Sequence, residues 1–348
     1  MNTCFSLAFV GVVATFGCTA LPGEGTSEAA LMETAAPLDA TSASAIVRRV
    51  LGAFKDTASA HRATFELQPK WESPALNFTP VLKPGRIWAL SPHGGLLRFT
   101  PDTLTLATCH EIGHFIAGFP FAGTPVQSLN ELGSVLSQEG QSDYFATKDC
   151  APRLWKDDAS RNATFRAGVD IEAKAKCDAM WPEAGRQNLC YRIMTVSREL
   201  LSVIGTGDGI SFGRRDSSVV KATNAGYPSP QGRLDTFVAG ALCARVNGTT
   251  IPGLVASPAG YFGQQSVAAE RNANDYACLG DDRGARPLSW FKPDMPDALN
   301  VDCSSFGGGS AQRCEGKTLV SCTRTEGITS FECGESCGKT ADGFYDCL

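Results

Sequence analysis

A chain of 348 residues with a formal net charge of -5 and no run of Lys or Arg lacks the basic footprint of a nucleic-acid binder, which argues against DNA or RNA as a partner. Its 14 Cys are too many for an ordinary enzyme of the reducing cytosol and point to an oxidising compartment where disulfides persist. Once a leader and a tether are set aside, about 270 residues remain, enough for one enzyme domain with a substantial core.

The leader is read at residues 1–20. Phe5 through Phe16 form an uncharged apolar run too short to span a membrane, as in a signal peptide, although no Lys or Arg precedes it. Thr15-Phe16-Gly17-Cys18 resembles a bacterial lipobox, which implies cleavage before Cys18, its lipidation, and anchoring of the protein to a bacterial membrane. Cleavage after Ala20 by an ordinary signal peptidase is the alternative. Either route places the chain in the bacterial cell envelope or outside the cell. Residues 21–43, rich in Ala, Ser and Thr, read as a flexible tether.

Residues 44–295 carry the pattern of a mostly helical domain with a small sheet. Ile46, Val47, Val50, Leu51 and Phe54 recur at helical spacing. Arg86 to Leu90 and Gly94 to Phe99 read as two short strands about a Gly-rich turn. Thr100-Pro101-Asp102 then supplies an N-cap, a proline at the first helical position and an acid in the first turn, and Gly118 with Pro120 supplies the stop. Leu104, Ala107 and Phe115 give this helix one interior face. Two further helices follow from Ile193, Val196, Leu200, Leu201 and Ile204, and from Leu234, Phe237, Val238, Ala241 and Leu242.

The first of these capped helices contains His110-Glu111-Ile112-Gly113-His114, the H-E-x-x-H zinc-peptidase motif. Residues at i and i+4 share a helix face, so one Zn²⁺ can bind His110 and His114 while Glu111 reaches a water on the metal as general base. A catalytic zinc takes a third protein ligand. No His follows His114, and His61 and His93 read as ordinary surface or loop residues, so the third ligand is expected to be a carboxylate. Glu139 is the best candidate: it forms an i, i+4 pair with Asp143, which would accept the ring N–H of a ligating His and fix its tautomer.

H-E-x-x-H followed by E-x-x-x-D resembles the gluzincin metallopeptidases, and most of all the HtpX and CAAX-protease type. Tyr227-Pro228-Ser229-Pro230-Gln231-Gly232-Arg233-Leu234 is similar to the His-Pro-x-x-x-x-Arg-Ile segment of HtpX-like enzymes, with Tyr227 in place of the His. The resemblance implies an α+β fold with a zincin-like (minigluzincin) domain, and implies that Tyr227 and Arg233 steady the oxyanion. The same segment can be read more simply, with Pro228-Ser229-Pro230 starting a helix and Arg233 exposed. By the same resemblance a sheet edge beside the motif helix would align peptide substrate as an added strand, and residues 86 to 99 are the candidate.

Setting aside Cys4 and Cys18, six Cys lie in the body (Cys109, Cys150, Cys177, Cys190, Cys243, Cys278) and six in the tail (Cys303, Cys314, Cys322, Cys333, Cys337, Cys347), even counts that favour internal pairing. Cys109 is turned about 100° from His110 along the helix, off the ligand face. Its expected partner is Cys150, which would staple the two metal-binding helices. Residues 300–348 read as a separate disulfide-rich module, since Leu319, Val320, Phe331 and Phe344 are too few to build a core. Arg313 to Cys322 resembles the core of modules appended to envelope proteins of predatory and social bacteria, which implies attachment. The sequence thus predicts an exported zinc metalloendopeptidase acting on peptide or protein substrates. The alternative is a non-catalytic envelope binding or adhesion protein with a structural or vestigial metal site.

Overall fold

Local chemistry starts the fold at Asp39, whose carboxylate accepts the Ser42 backbone N–H at 2.8 Å and caps helix α1 (Ala40–Ala53). In the computed structural model, the described residues are 37–83, 85–121, 136–224, 226–257, 260–263, 267–279, 283–293, 311–323, 327–339 and 345–347, and all of them fall in the unit Ala36–Leu348. The expected tether therefore ends earlier than residue 43, because Ala40 to Ala43 already belong to α1 and Ala43 is fully buried. Cys18 and the lipobox lie outside the described residues.

After α1 come α2 (Lys55–Ala60) and strands β1 (Thr64–Leu67), β2 (Phe78–Lys83) and β3 (Ile87–Pro92), which form a sheet of order β1-β3-β2. β3 runs parallel to β1, with Thr64 opposite Ile87, and antiparallel to β2, with Phe78 opposite Pro92. Two expectations are corrected here. Gly94 to Phe99 is not a second strand: Gly94–Arg98 is a 3₁₀ turn whose backbone N–H groups at Gly94 and Gly95 donate to Ser73 and Ala75 carbonyls at 2.7 and 3.0 Å instead of to a ladder. Nor can residues 86 to 99 supply a free edge, because β3 is paired on both sides. Among the described residues the outer edge of β2 is the unpaired one nearest the motif helix.

That helix, α3 (Pro101–Ile116), begins at Thr100, whose hydroxyl accepts the Thr103 N–H at 3.2 Å. It is buried on nearly every side and not along one face alone, because α1, the sheet and helix α8 (Ala184–Val203) all pack against it. Phe115 stacks on Trp88 with ring centroids 5.5 Å apart. Burying a side chain of that size stabilises by about 1.5–3 kcal/mol. Downstream, α4 (Glu139–Phe145) runs into a π-helical turn (Ala146–Cys150), followed by α5 (Ala151–Trp155), α6 (Ala159–Thr164), α7 (Ile171–Met180), α8 (Ala184–Val203) and α9 (Pro230–Leu242). The hairpin β4 (Leu254–Ser257) and β5 (Gly260–Gly263) and helix α10 (Val267–Asn274) complete the body.

All six body Cys are paired: Cys109 with Cys150, Cys177 with Cys190, and Cys243 with Cys278. In the tail, β6 (Ala311–Glu315), β7 (Thr318–Thr323) and β8 (Gly327–Glu332) form an antiparallel sheet, and β9 (Cys337–Lys339) pairs with β10 (Tyr345–Cys347). Cys314 is bonded to Cys337, and Cys333 is also in a disulfide. No described helix is long and apolar enough to cross a membrane.

Candidate metal centre

The close approach of α3 and α4 builds the site. Gly113, the fourth residue of the motif, faces Ser142: a Cβ there would stand 3.0 Å from the Ser142 Cα, so a larger residue would push the helices apart. The disulfide between Cys109 and Cys150 ties α3 to the end of the π-helical turn that follows α4. Between them His110 Nε2 lies 3.1 Å and His114 Nε2 3.6 Å from Glu139 Oε2. The ligand atoms of His110, His114 and Glu139 all fall within 4.8 Å of one another, and these three residues can hold a metal ion.

The ring orientation is fixed from behind. His110 Nδ1 is 2.7 Å from Asp143 Oδ1, and His114 Nδ1 is 2.9 Å from the Ser137 carbonyl oxygen. Both partners only accept, so each Nδ1 carries a proton and each Nε2 is the ring atom turned to the centre. Ser137 was not foreseen, since a main-chain carbonyl has no residue signature. Asp143 receives two further bonds, from Arg233 Nε and Nη2, each at 2.8 Å.

Arg233 reaches this position because Ser229 caps α9 by accepting the Gly232 N–H at 3.0 Å, with Pro230 in the first turn. The simple reading of the segment as a helix start is therefore correct, but its corollary is not: Arg233 is only 7% exposed. Two of its donors are committed to Asp143, so it acts first as a positioning residue. Its guanidinium also sits 5.0 Å from the centroid of the Tyr227 ring. Tyr227 is 63% exposed at the rim of the cleft.

Glu111, Glu139 and Asp143 cluster with His110, His114 and Arg233, a concentration of ionisable groups whose protonation a bound metal ion would reset. Burial pushes Glu111 up to about 8, partly offset by His110 and reinforced by Glu139. Burial opposes a charged ring at His110, yet the Asp143 and Glu139 carboxylates outweigh it and raise the group to about 10. Burial and the neighbouring His110 charge take His114 down to about 4. At Asp143 burial is overcome by Arg233 and His110, which hold the carboxyl down at about 2. Burial and the charges of Glu139 and Glu111 push the Tyr227 phenol up to about 12. Glu111 Oε2 is buried with no hydrogen-bond partner, and Glu139 Oε2 is buried against the two imidazole Nε2 atoms, a costly arrangement for polar oxygens unless they serve an ion or a reacting group. The donor set of two imidazoles and a carboxylate suits zinc or a similar first-row ion.

Glu111 stands outside the ligand trio but lines the same cavity as His110, Tyr227 and Arg233. The structure thus brings together every proposed site residue of the body. Comparisons of the chain with protein-family models, with curated proteins and with solved structures find no match.

Proposed function

We propose that the protein is an exported zinc-dependent endopeptidase, with a gluzincin-like, zincin-type domain and a disulfide-rich tail. The observation that carries this reading is Glu111: a half-buried side chain whose Oε2 is itself buried without a hydrogen-bond partner, set in the wall of the cavity that His110 also lines and outside the trio of two His and Glu139. A purely structural metal site has no use for such a group.

His110, His114 and Glu139 would hold Zn²⁺, which when bound supplies a Lewis acid that polarises a carbonyl and acidifies a water. Glu111, which a cation held by the neighbouring ligands would keep as the carboxylate, would take a proton from the attacking water and return it to the leaving nitrogen. Asp143 and the Ser137 carbonyl keep the two imidazoles in the ligating tautomer, and Arg233 holds Asp143 in place. Tyr227, at the rim, donates its phenolic O–H to the oxyanion, a role that burial and nearby carboxylates favour by keeping the phenol protonated. The outer edge of β2 offers backbone groups to an extended substrate. Disulfides throughout the body fit an oxidising envelope or extracellular location, and anchoring would pass through lipidated Cys18.

The test replaces Glu111 by Gln. About one zinc per chain should be retained, measured by atomic absorption, while cleavage of casein falls by at least about 100-fold. Undiminished cleavage by Glu111→Gln would refute the mechanism; zinc binding by a wild type that cleaves no peptide would favour the binding-protein alternative.

A further inference from the structure

A second cavity, of about 130 Å³, lies among the π-helical turn, α5, α8 and the end of α9, and shares no lining residue with the cavity at the metal centre. Its described lining holds three cations, Lys148, Arg186 and Arg245, and no carboxylate. Among the described residues the direct partners of all three are neutral. Lys148 Nζ donates to Asn247 Oδ1 at 2.7 Å, Arg245 Nη1 donates to the Asn274 carbonyl, and the Arg186 guanidinium lies 4.5 Å from the centroid of the Trp181 ring. Asp149 offsets the Lys148 charge in part, but burial pushes its own carboxyl up from 3.8, against the ionised form.

The rest of the wall is apolar and fixed in place. Trp181, Ile193 and Ala241 are buried, and the disulfides Cys177–Cys190 and Cys243–Cys278 each place one Cys in the lining. Gly240 comes so close to the π-helical turn that a Cβ there would stand 2.2 Å from Thr147 Oγ1. That turn is what brings Thr147 and Lys148 into the wall, and single π-helical turns recur at functional sites.

We propose that this cavity is a binding site for a small aliphatic carboxylic acid, with the carboxylate on Lys148, Arg186 and Arg245 and the hydrocarbon against Trp181, Ile193 and Ala241. The site would stand whether or not the metal centre cleaves peptides. Size limits the ligand: an apolar cavity of about 150 Å³ holds benzene, so this one takes an acid of roughly six non-hydrogen atoms. Charge selects an anion, which would meet three cations with no carboxylate to displace and would give the buried ammonium of Lys148 a counter-ion. The apolar wall selects a carboxylate over a compact inorganic anion, whose oxygens would in part face hydrocarbon and go unmet.

The test titrates the full-length, zinc-loaded protein with isobutyrate, with isobutyramide as its neutral counterpart, and with inorganic sulfate. Heats of binding are read by calorimetry at two temperatures in a zwitterionic buffer. Isobutyrate should bind once per chain with a Kd of about 1 mM or below, and the amide and sulfate at least about tenfold more weakly. Lys148→Met should weaken isobutyrate binding by about tenfold or more. Arg186→Gln changes an exposed side chain at the mouth and should weaken it by about threefold, which keeps the site testable if Lys148→Met proves unstable. Isobutyrate bound at the metal centre instead would be indifferent to both substitutions. The proposal is overturned by an affinity that neither substitution changes, by the absence of saturable isobutyrate binding, or by an amide or sulfate that binds as tightly as the acid.

Discussion

Replacing Asp143 by Asn separates two roles of one carboxylate. Asp143 accepts from His110 Nδ1 at 2.7 Å and from Arg233 Nε and Nη2 at 2.8 Å each, and it is fully buried. An Asn of the same shape offers one acceptor oxygen and one donor NH₂, so either His110 or Arg233 must face a donor. Loss of the outer support of a ligating His weakens zinc binding by roughly 10- to 100-fold, about 1.4–2.7 kcal/mol. Leaving the buried Arg233 charge without its partner costs a further 3–5 kcal/mol of folding stability, to order of magnitude, roughly as for other broken buried pairs. The two losses come apart in the double variant Asp143→Asn/Arg233→Met. Removing both charges should restore most of the stability, since apolar replacement of a buried pair is about neutral. Zinc affinity should stay below that of wild type, since His110 Nδ1 then donates to a neutral amide oxygen, which supports the ring as a ligand less than a carboxylate does. Affinity is read by competition with a chromophoric chelator, and stability by urea unfolding in excess chelator so that metal binding does not enter the equilibrium. Wild-type zinc affinity in Asp143→Asn, or a double variant no more stable than the single, would refute this account of the Asp143 bridge.

What the sequence made legible was chiefly what local chemistry decides. Thr100-Pro101 and Ser229-Pro230 fix where α3 and α9 begin, because capping hydroxyls and a first-turn proline act within a few residues. The ligand trio and the bridge from Asp143 to His110 follow from i, i+4 spacing on two helices. The Cys109–Cys150 bond follows from their positions beside the ligands. Misread features depend on distant segments. Gly94-Gly95 alternates like a strand turn, but the loop over 73–75 takes their N–H groups and winds the chain into a 3₁₀ turn. The parallel pairing of β1 with β3, which denies β3 a free edge, joins segments whose contact no local pattern announces. The bond from Arg233 to Asp143 has no local signature either, because it depends on how α9 packs on α4. Asp39 was a readable cap, obscured by the Ala, Ser and Thr composition of the stretch around it.

Three further outcomes follow from the geometry. Glu139→Ala removes the one carboxylate that, among the described residues, lies against both imidazoles and should abolish stoichiometric zinc binding at micromolar metal; full retention would reassign the third ligand. Cys150→Ser opens a loop with a sequence separation of 41, and should cost about 4 kcal/mol in urea unfolding by the chain-entropy model, with weaker zinc binding; an unchanged midpoint would deny the staple its role. The last outcome concerns Lys148, in the π-helical turn after α4, which is 5% exposed and whose Nζ donates to Asn247 Oδ1 at 2.7 Å. Burial takes its ammonium down from 10.5 to about 8, partly opposed by Asp149 and reinforced by the charges of Arg286 and Arg245. Between those two values the unfolded chain binds more protons than the folded one, so stability rises with pH across the window and the cost of the buried charge is greatest below it. From pH 7 to pH 10 this group alone should add about 2–3 kcal/mol to the unfolding free energy. Lys148→Met has no such proton to lose. The difference in stability between wild type and Lys148→Met, measured by denaturant unfolding at each pH, should therefore move in favour of wild type as pH rises, by that amount. Parallel pH profiles for the two proteins would mean that Lys148 is no harder to charge in the folded protein than in water.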